Sequence, residues 1–186
     1  MTSDWKIFGF NDIHTHVPGP GRVVSIDITD PNHKRLIDDS EAFTAGVHPW
    51  NSDHNIDWDY LFQVLQHPKV VGIGEAGLDA LRGPEHEIQM EAFMRQISMA
   101  ERLHLPLVIH SVKSNHRLLE LKKKLRPTVP WIIHGFRGNQ AQAEQLIRAG
   151  MHLSINEKVN RQLLIGLPDN MIHYESDEEV DNKSAL

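Results

Sequence analysis

Cysteine is absent from this chain of 186 residues. That absence excludes a disulfide framework, a thiolate metal site and a cysteine nucleophile, so any metal has to rest on His, Asp and Glu. No apolar run approaches the length of a membrane span, and no basic stretch leads into an apolar signal segment at the N-terminus. A cytoplasmic protein without membrane partners is therefore expected. An excess of positive charge is lacking too. The net charge of −6 argues against a broad electrostatic grip on nucleic acid, but leaves room for a small phosphate-containing substrate or a strand end held at a local basic site. Nor does a glycine-rich turn follow the first apolar run: Gly19 and Gly21 come late and among prolines, which speaks against the dinucleotide site of an open doubly wound sheet.

What is present in excess is histidine, 13 residues in all. His33, His54, His67, His86 and His116 lie in polar or helical contexts and read as surface residues. His14, His16, His48, His110 and His134 each sit at or just past the end of an apolar run. His14 and His16 are two apart, so in an extended strand they point to one face, a common start of a metal site.

Strands are expected over residues 7–11, 23–28, 43–47, 70–74, 107–110, 131–134, 152–155 and 171–174, all short, apolar and often β-branched. Helical patterns lie between most of them. From 85 to 103, Met90, Phe93, Met94, Ile97 and Ala100 form one apolar stripe, with Pro106 after it. Residues 59–66 precede Pro68, Leu118, Leu121 and Leu125 mark another helix, and residues 141–149 end at Gly150. Eight strands alternating with helices predict an α/β fold of the TIM type, a (β/α) barrel. Such barrels typically need about 250 residues, so this one is shortened. The economy is expected between the second and third strands and after the eighth, with reduced C-terminal closure. With 40% hydrophobic residues and no repeat or linker, residues 1–177 read as a single domain and 178–186 as an acidic tail.

Chemistry in these barrels lies at the C-terminal strand ends. Taken in order, those ends carry His14 and His16, His48, Glu75, His110, His134 and Asp177. Without His48 this is a nitrogen-and-oxygen donor set suited to zinc, manganese, nickel or iron. Two metals need a shared ligand, and a carboxylate can bridge; Glu75, near the middle of the set, is the natural candidate.

The segments 12–16 (DIHTH), 46–50 (GVHPW), 72–79 (GIGEAGLD), 107–111 (LVIHS), 133–138 (IHGFRG) and 175–177 (ESD) together make the chain resemble the TatD-type metal-dependent hydrolases, within the amidohydrolase-like barrels. The resemblance implies a metal-dependent hydrolase, often a deoxyribonuclease, with divalent ions, two per chain (zinc, magnesium, manganese or nickel). One ion would take His14, His16, Glu75 and Asp177, and the other Glu75, His110 and His134. Asp177 would also orient the attacking water or act as its general base, and Glu75 would hold the ions together. His48 and Asp79 match pocket positions, in contact with substrate or supporting a ligand from behind. Lys113 and Arg137 follow the fifth and sixth strands and are placed to hold phosphate oxygens. DNA or a small phosphodiester is the implied substrate. Two features depart from the family pattern. Relatives continue past the Asp177 position into a closing helix, so a monomer with a bare wall or a covering homodimer is expected. They also often carry Cys-Phe-Ser where this chain has Gly135-Phe-Arg137. Hydrolysis of an amide, ester or lactone on the same ligands, or a non-catalytic metal-binding or partner role, are the alternatives.

Overall fold

The first apolar run turns instead of extending. Lys6–Gly9 forms a single 3-10 turn that buries Ile7, and the first strand, β1, is the motif itself, Asp12–Thr15. The computed structural model, which describes residues 5–179, continues with β2 (Arg22–Asp27), α1 (His33–Asp39), β3 (Ala42–Gly46), α2 (Trp58–Val64), β4 (Val70–Asp79) and α3 (His86–Leu103). Then follow β5 (Leu107–Val112), α4 (Asn115–Leu125), β6 (Trp131–Ile133), α5 (Gln140–Arg148), β7 (Met151–Ile155) and β8 (Ile172–Tyr174). All eight strands lie in one sheet in sequence order, every neighbouring pair parallel. The residues just after β8 bond back to the β1 segment, so the barrel is nearly closed. The Asp177 amide donates to the His14 carbonyl at 3.1 Å and the His16 amide to the Glu178 carbonyl at 2.9 Å. Glu178, the first residue of the expected acidic tail, also accepts from Arg22 Nη1 at 2.7 Å. Residues 180–186 of that tail lie outside the described residues.

The barrel is shortened, as expected, but partly elsewhere. A two-turn helix, α1, fills the connection between β2 and β3. No helix joins β1 to β2, and two single 3-10 turns, Arg161–Leu164 and Asp169–Met171, stand where a helix would join β7 to β8. β4 also runs five residues past its expected end, all ten of its positions buried. The chain past Gly74, expected to leave the strand, stays in it, and Gly74 and Gly77 allow close approach to Val108 and His110 of β5. A Cβ on Gly77 would overlap the His110 carbonyl oxygen, and Gly77 holds φ at +148°, a value that only glycine adopts readily.

Two apolar layers hold the wall. Outside the sheet, Val24, Ile26, Phe43, Leu107 and Trp131 pack with Phe93, Ile97 and Ala100 of α3. Each large apolar side chain buried this way contributes about 1.5–3 kcal/mol. The second cluster is Val23, Ala42, Val71, Val108 and Ile132 with Ile7. Val108 and Ile132 are two residues before His110 and His134, so they share the inward face. The 3-10 turn thus stoppers the N-terminal mouth of the barrel, which is why an apolar run precedes β1 without joining the sheet.

Inward positions of β7 and β8 at that mouth are His152 and His173, 2.9 Å apart between ring nitrogens and both stacked on Phe8. Burial, the charge of His173 and that of Lys122 push His152 down to about 4, and burial pushes His173 down to about 4 as well. The unfolded imidazoles titrate near 6.5, so the unfolded chain takes up protons first. The stabilising contribution is therefore complete above about pH 6.5 and lost as the pH falls toward about 4. After discounting for solvent screening it amounts to roughly 2 kcal/mol for the pair. Urea unfolding at pH 7 and pH 4.5 measures it, and a His152→Gln/His173→Gln double variant should show a visibly flatter pH dependence.

Candidate metal centre

Glu75 lies in the middle of β4 and is only 6% exposed, so it is a buried strand carboxylate and not a solvated turn residue. Imidazoles from four other strands surround it. His110, on β5, places Nδ1 2.6 Å from Glu75 Oε1; His134, one residue past β6, places Nε2 2.7 Å from the same oxygen. His48, two residues past β3, brings Nε2 to 3.1 Å. On the other side, His14 Nε2 of β1 stands 3.4 Å from Glu75 Oε2 and 3.9 Å from Asp177 Oδ1. His16 Nε2 is 3.9 Å from Asp177 Oδ1. The two-residue period of each strand end turns these side chains toward the barrel axis, and the curled, nearly closed sheet brings them together.

The electrostatics follow from this crowding. Burial alone would raise the Glu75 carboxyl, but the His134 charge and the imidazoles of His110, His134 and His14 around it hold it well below the usual carboxylate range. Burial would lower His134, yet the carboxylates of Glu75 and Glu175 raise it well above an ordinary histidine. Burial and the neighbouring His14 lower His16.

The donor set fits a divalent cation. Both ring nitrogens of His14 are buried without a hydrogen-bond partner among the described residues, and Nε2 faces two carboxylates. A buried, unpartnered imidazole in that position is satisfied by a cation. Ligand atoms lie within 4.8 Å of one another in three groups: His14, His16 and Glu75; His14, His134 and Asp177; and His48, Glu75 and His110. Six residues expected as ligands thus converge, and His48, expected as a pocket residue, stands among them. All are nitrogen or oxygen donors suited to zinc, manganese, nickel or iron.

The other expected site residues separate. Asp79, 5% exposed, stands behind His110, with Oδ2 3.1 Å from its Nε2. Its carboxylate also accepts from Trp50 Nε1 and from the amides of Leu81 and Arg82. Burial would raise Asp79; the bonds from Trp50, Leu81 and His110 outweigh it and lower the carboxyl. Arg137 is exposed, its Nη2 3.9 Å from Asp177 Oδ2. It and exposed Lys113 border a cleft of about 820 Å³ that reaches His110, His134 and Asp177.

Two acidic residues of the site had no role in the sequence reading. Asp27, at the end of β2, accepts from the His48 amide and Asn51 Nδ2, both at 2.9 Å, and so anchors the loop that carries His48. The strand-end rule already pointed to this position. Glu175 is wholly buried, with Ser154 donating to its Oε2. Burial would raise it, but the neighbouring His134, the charge of His14 and the Ser154 bond lower it. Its spacing, two residues after His173 and two before Asp177, is the inward period of β8.

Comparison with known proteins gives a consistent result. The family model described as TatD related DNase matches residues 23–178. A protein of Erwinia billingiae (strain Eb661) named 3'-5' ssDNA/RNA exonuclease TatD is 34% identical over 119 residues, covering 60% of this chain and 44% of that protein. The uncharacterized metal-dependent hydrolase YabD of Bacillus subtilis (strain 168) is 27% identical over 173 residues, 84% of this chain and 68% of its own. The crystal structure of YjjV, a TatD homologue from Escherichia coli K12, shares the fold with a TM-score of 0.76 at 24% identity, over 92% of this chain and 80% of that one. The chain spans about half the length of the curated relatives it matches, 44%, 45%, 55% and 56% for four of them.

Proposed function

The chain belongs to the TatD-related DNase family, and from that premise we propose that it is a metal-dependent phosphodiesterase acting on the ends of single-stranded nucleic acid. The observation that carries the reading is the buried, unpartnered His14 Nε2 facing Glu75 and Asp177 inside a ring of imidazoles. In this reading His14, His16, Glu75 and Asp177 hold one divalent ion, and Glu75, His110 and His134 the other, with His48 beside them. Bound ions of this kind lower the pKa of a water and stabilise charge on a phosphoryl group.

The chain's own groups do the rest. Glu75 keeps its charge because its neighbours hold the carboxyl low, so it can bridge two cations. Asp177, partly exposed and bordering the cleft, accepts the proton of the attacking water. Lys113 and Arg137, on the same cleft, hold the non-reacting phosphate oxygens. Charge also limits the substrate. With a net −6 and few cations at the cleft, a strand end fits better than a long duplex footprint. A relative named as an exonuclease on single-stranded DNA and RNA supports the same substrate class.

The test is metal removal with a chelator, reloading with single metals, and assay on a single-stranded oligonucleotide and on a carboxylic ester. Expected are up to two ions per chain and metal-dependent cleavage of the oligonucleotide. Reloaded protein without metal, or faster ester than phosphodiester turnover, would overturn the reading. A Lys113→Ala/Arg137→Ala variant should raise KM with a smaller change in kcat. It should also flatten the log–log salt dependence by up to about 1.4, at roughly 0.7 per lost single-strand phosphate contact.

A further inference from the structure

The two imidazoles nearest Glu75 are built alike. Each turns one ring nitrogen to Glu75 Oε1: Nδ1 of His110 at 2.6 Å and Nε2 of His134 at 2.7 Å. Each turns its other nitrogen outward to a buried carboxylate. For His110 this is Asp79, at 3.1 Å. For His134 it is Glu175, whose Oε2 lies 3.8 Å from Nδ1.

The second contact is longer than a hydrogen bond, yet everything around it favours its closing. Glu175 is wholly buried, and its Oε1 and His134 Nδ1 are both buried polar atoms without a partner among the described residues. Such groups cost free energy until they pair. The carboxylate cannot swing far. The Glu175 amide is bonded to the Ile155 carbonyl at 3.0 Å, and Ser154 donates its hydroxyl to Oε2. The loop that carries His134 is held as well, by the Phe136 amide on the Ser154 carbonyl at 3.0 Å.

We propose that Glu175, held by Ser154, is the positioning residue of His134: it accepts the hydrogen bond of the Nδ1–H group and so keeps Nε2 directed at Glu75 and at the cation bound there. This rests on the metal reading above for its consequence, but the His134–Glu175 contact exists without a metal. A ligand imidazole whose far nitrogen is held by a carboxylate is fixed in tautomer and ring plane, and removing such a partner costs ~10- to 100-fold in metal affinity.

The experiment uses the full chain and two readouts, neither of them activity. In metal-free protein labelled at histidine, nitrogen-detected NMR is expected to find a slowly exchanging proton on His134 Nδ1. E175Q should shift that resonance and leave His110 in place, and D79N should do the reverse. By calorimetry with zinc, E175Q should lose about 10- to 100-fold in affinity, and Ser154→Ala about fivefold, the worth of one hydrogen bond. Ser154→Ala keeps the test open if E175Q fails to fold. An unprotonated His134 Nδ1 in the unaltered chain overturns the inference, as do His134 signals and zinc affinity left unchanged by both substitutions. A protein that binds no zinc but keeps its His134 Nδ1–H directed at Glu175 overturns the metal reading and upholds the orientation.

Discussion

Replacing Glu75 by Gln is expected to lower phosphodiester turnover at least about 1000-fold, which corresponds to roughly 4 kcal/mol of transition-state stabilisation, and to abolish tight uptake of divalent cations. The substitution changes little in shape and much in charge. Glu75 faces ring nitrogens of His14, His48, His110 and His134 within 3.4 Å, and so faces both halves of the donor set. An amide has a single weak acceptor oxygen and cannot bridge two cations. Its NH2 group would also point at nitrogens that need an acceptor. Because the side chain is buried and its volume kept, the variant should fold, and circular dichroism with metal analysis separates lost chemistry from lost structure. Turnover within tenfold of the unaltered protein at equal metal content would sink the model.

The second large effect is on stability. Gly77→Ala is expected to cost more than about 3 kcal/mol and to lower the thermal midpoint by some 6–12 °C, at about 2–4 °C per kcal/mol for a chain of this size. A Cβ at this position would overlap the His110 carbonyl oxygen and come within 3.0 Å of the His110 amide nitrogen. Both atoms belong to the backbone of the neighbouring strand, so no side chain can rotate away to relieve the contact. The same shift would move His110 itself, so cation affinity should fall along with stability. Gly150→Ala is the control. Gly150 also has a positive φ, +75°, but nothing lies within 4 Å of its would-be Cβ. It should cost only the left-handed strain, about 1–2 kcal/mol. Equal losses at the two positions would show that the close approach of β4 to β5 carries no weight.

Much of this site was legible because the information is local. His14 and His16 announce themselves by a two-residue spacing, and His48, His110 and His134 by standing where apolar runs end. In a parallel barrel those ends meet at one mouth, so listing strand ends amounts to listing the floor of a cleft. The same rule applied to β2 would have found Asp27. Glu175 escaped because an acidic stretch reads as a solvated end. Only its partners Ser154 and His134, 21 and 41 positions earlier in the chain, make it a buried carboxylate.

The errors have a common cause as well. Residues 5–10 are apolar and short, and a sequence pattern does not separate a strand from a plug that fills a barrel mouth. The fourth strand was expected to end at Gly74 because glycine marks turns more often than it marks close strand packing. Length misled in one further respect. The economy was expected between β2 and β3 and after β8, whereas α1 fills the first of these connections and helices are omitted after β1 and between β7 and β8.

The sequence by itself determined the donor types, the absence of thiolate chemistry, the alternation of strands and helices, and which strand ends carry imidazole. These are properties of composition and short-range period. Only the tertiary structure decided that Glu75 is buried within a strand, that Asp79 and Glu175 stand behind His110 and His134, and that residues 176–178 complete the barrel against β1. Those facts depend on closing a sheet whose first and last strands are some 160 residues apart, and no local pattern encodes which groups that closure brings face to face.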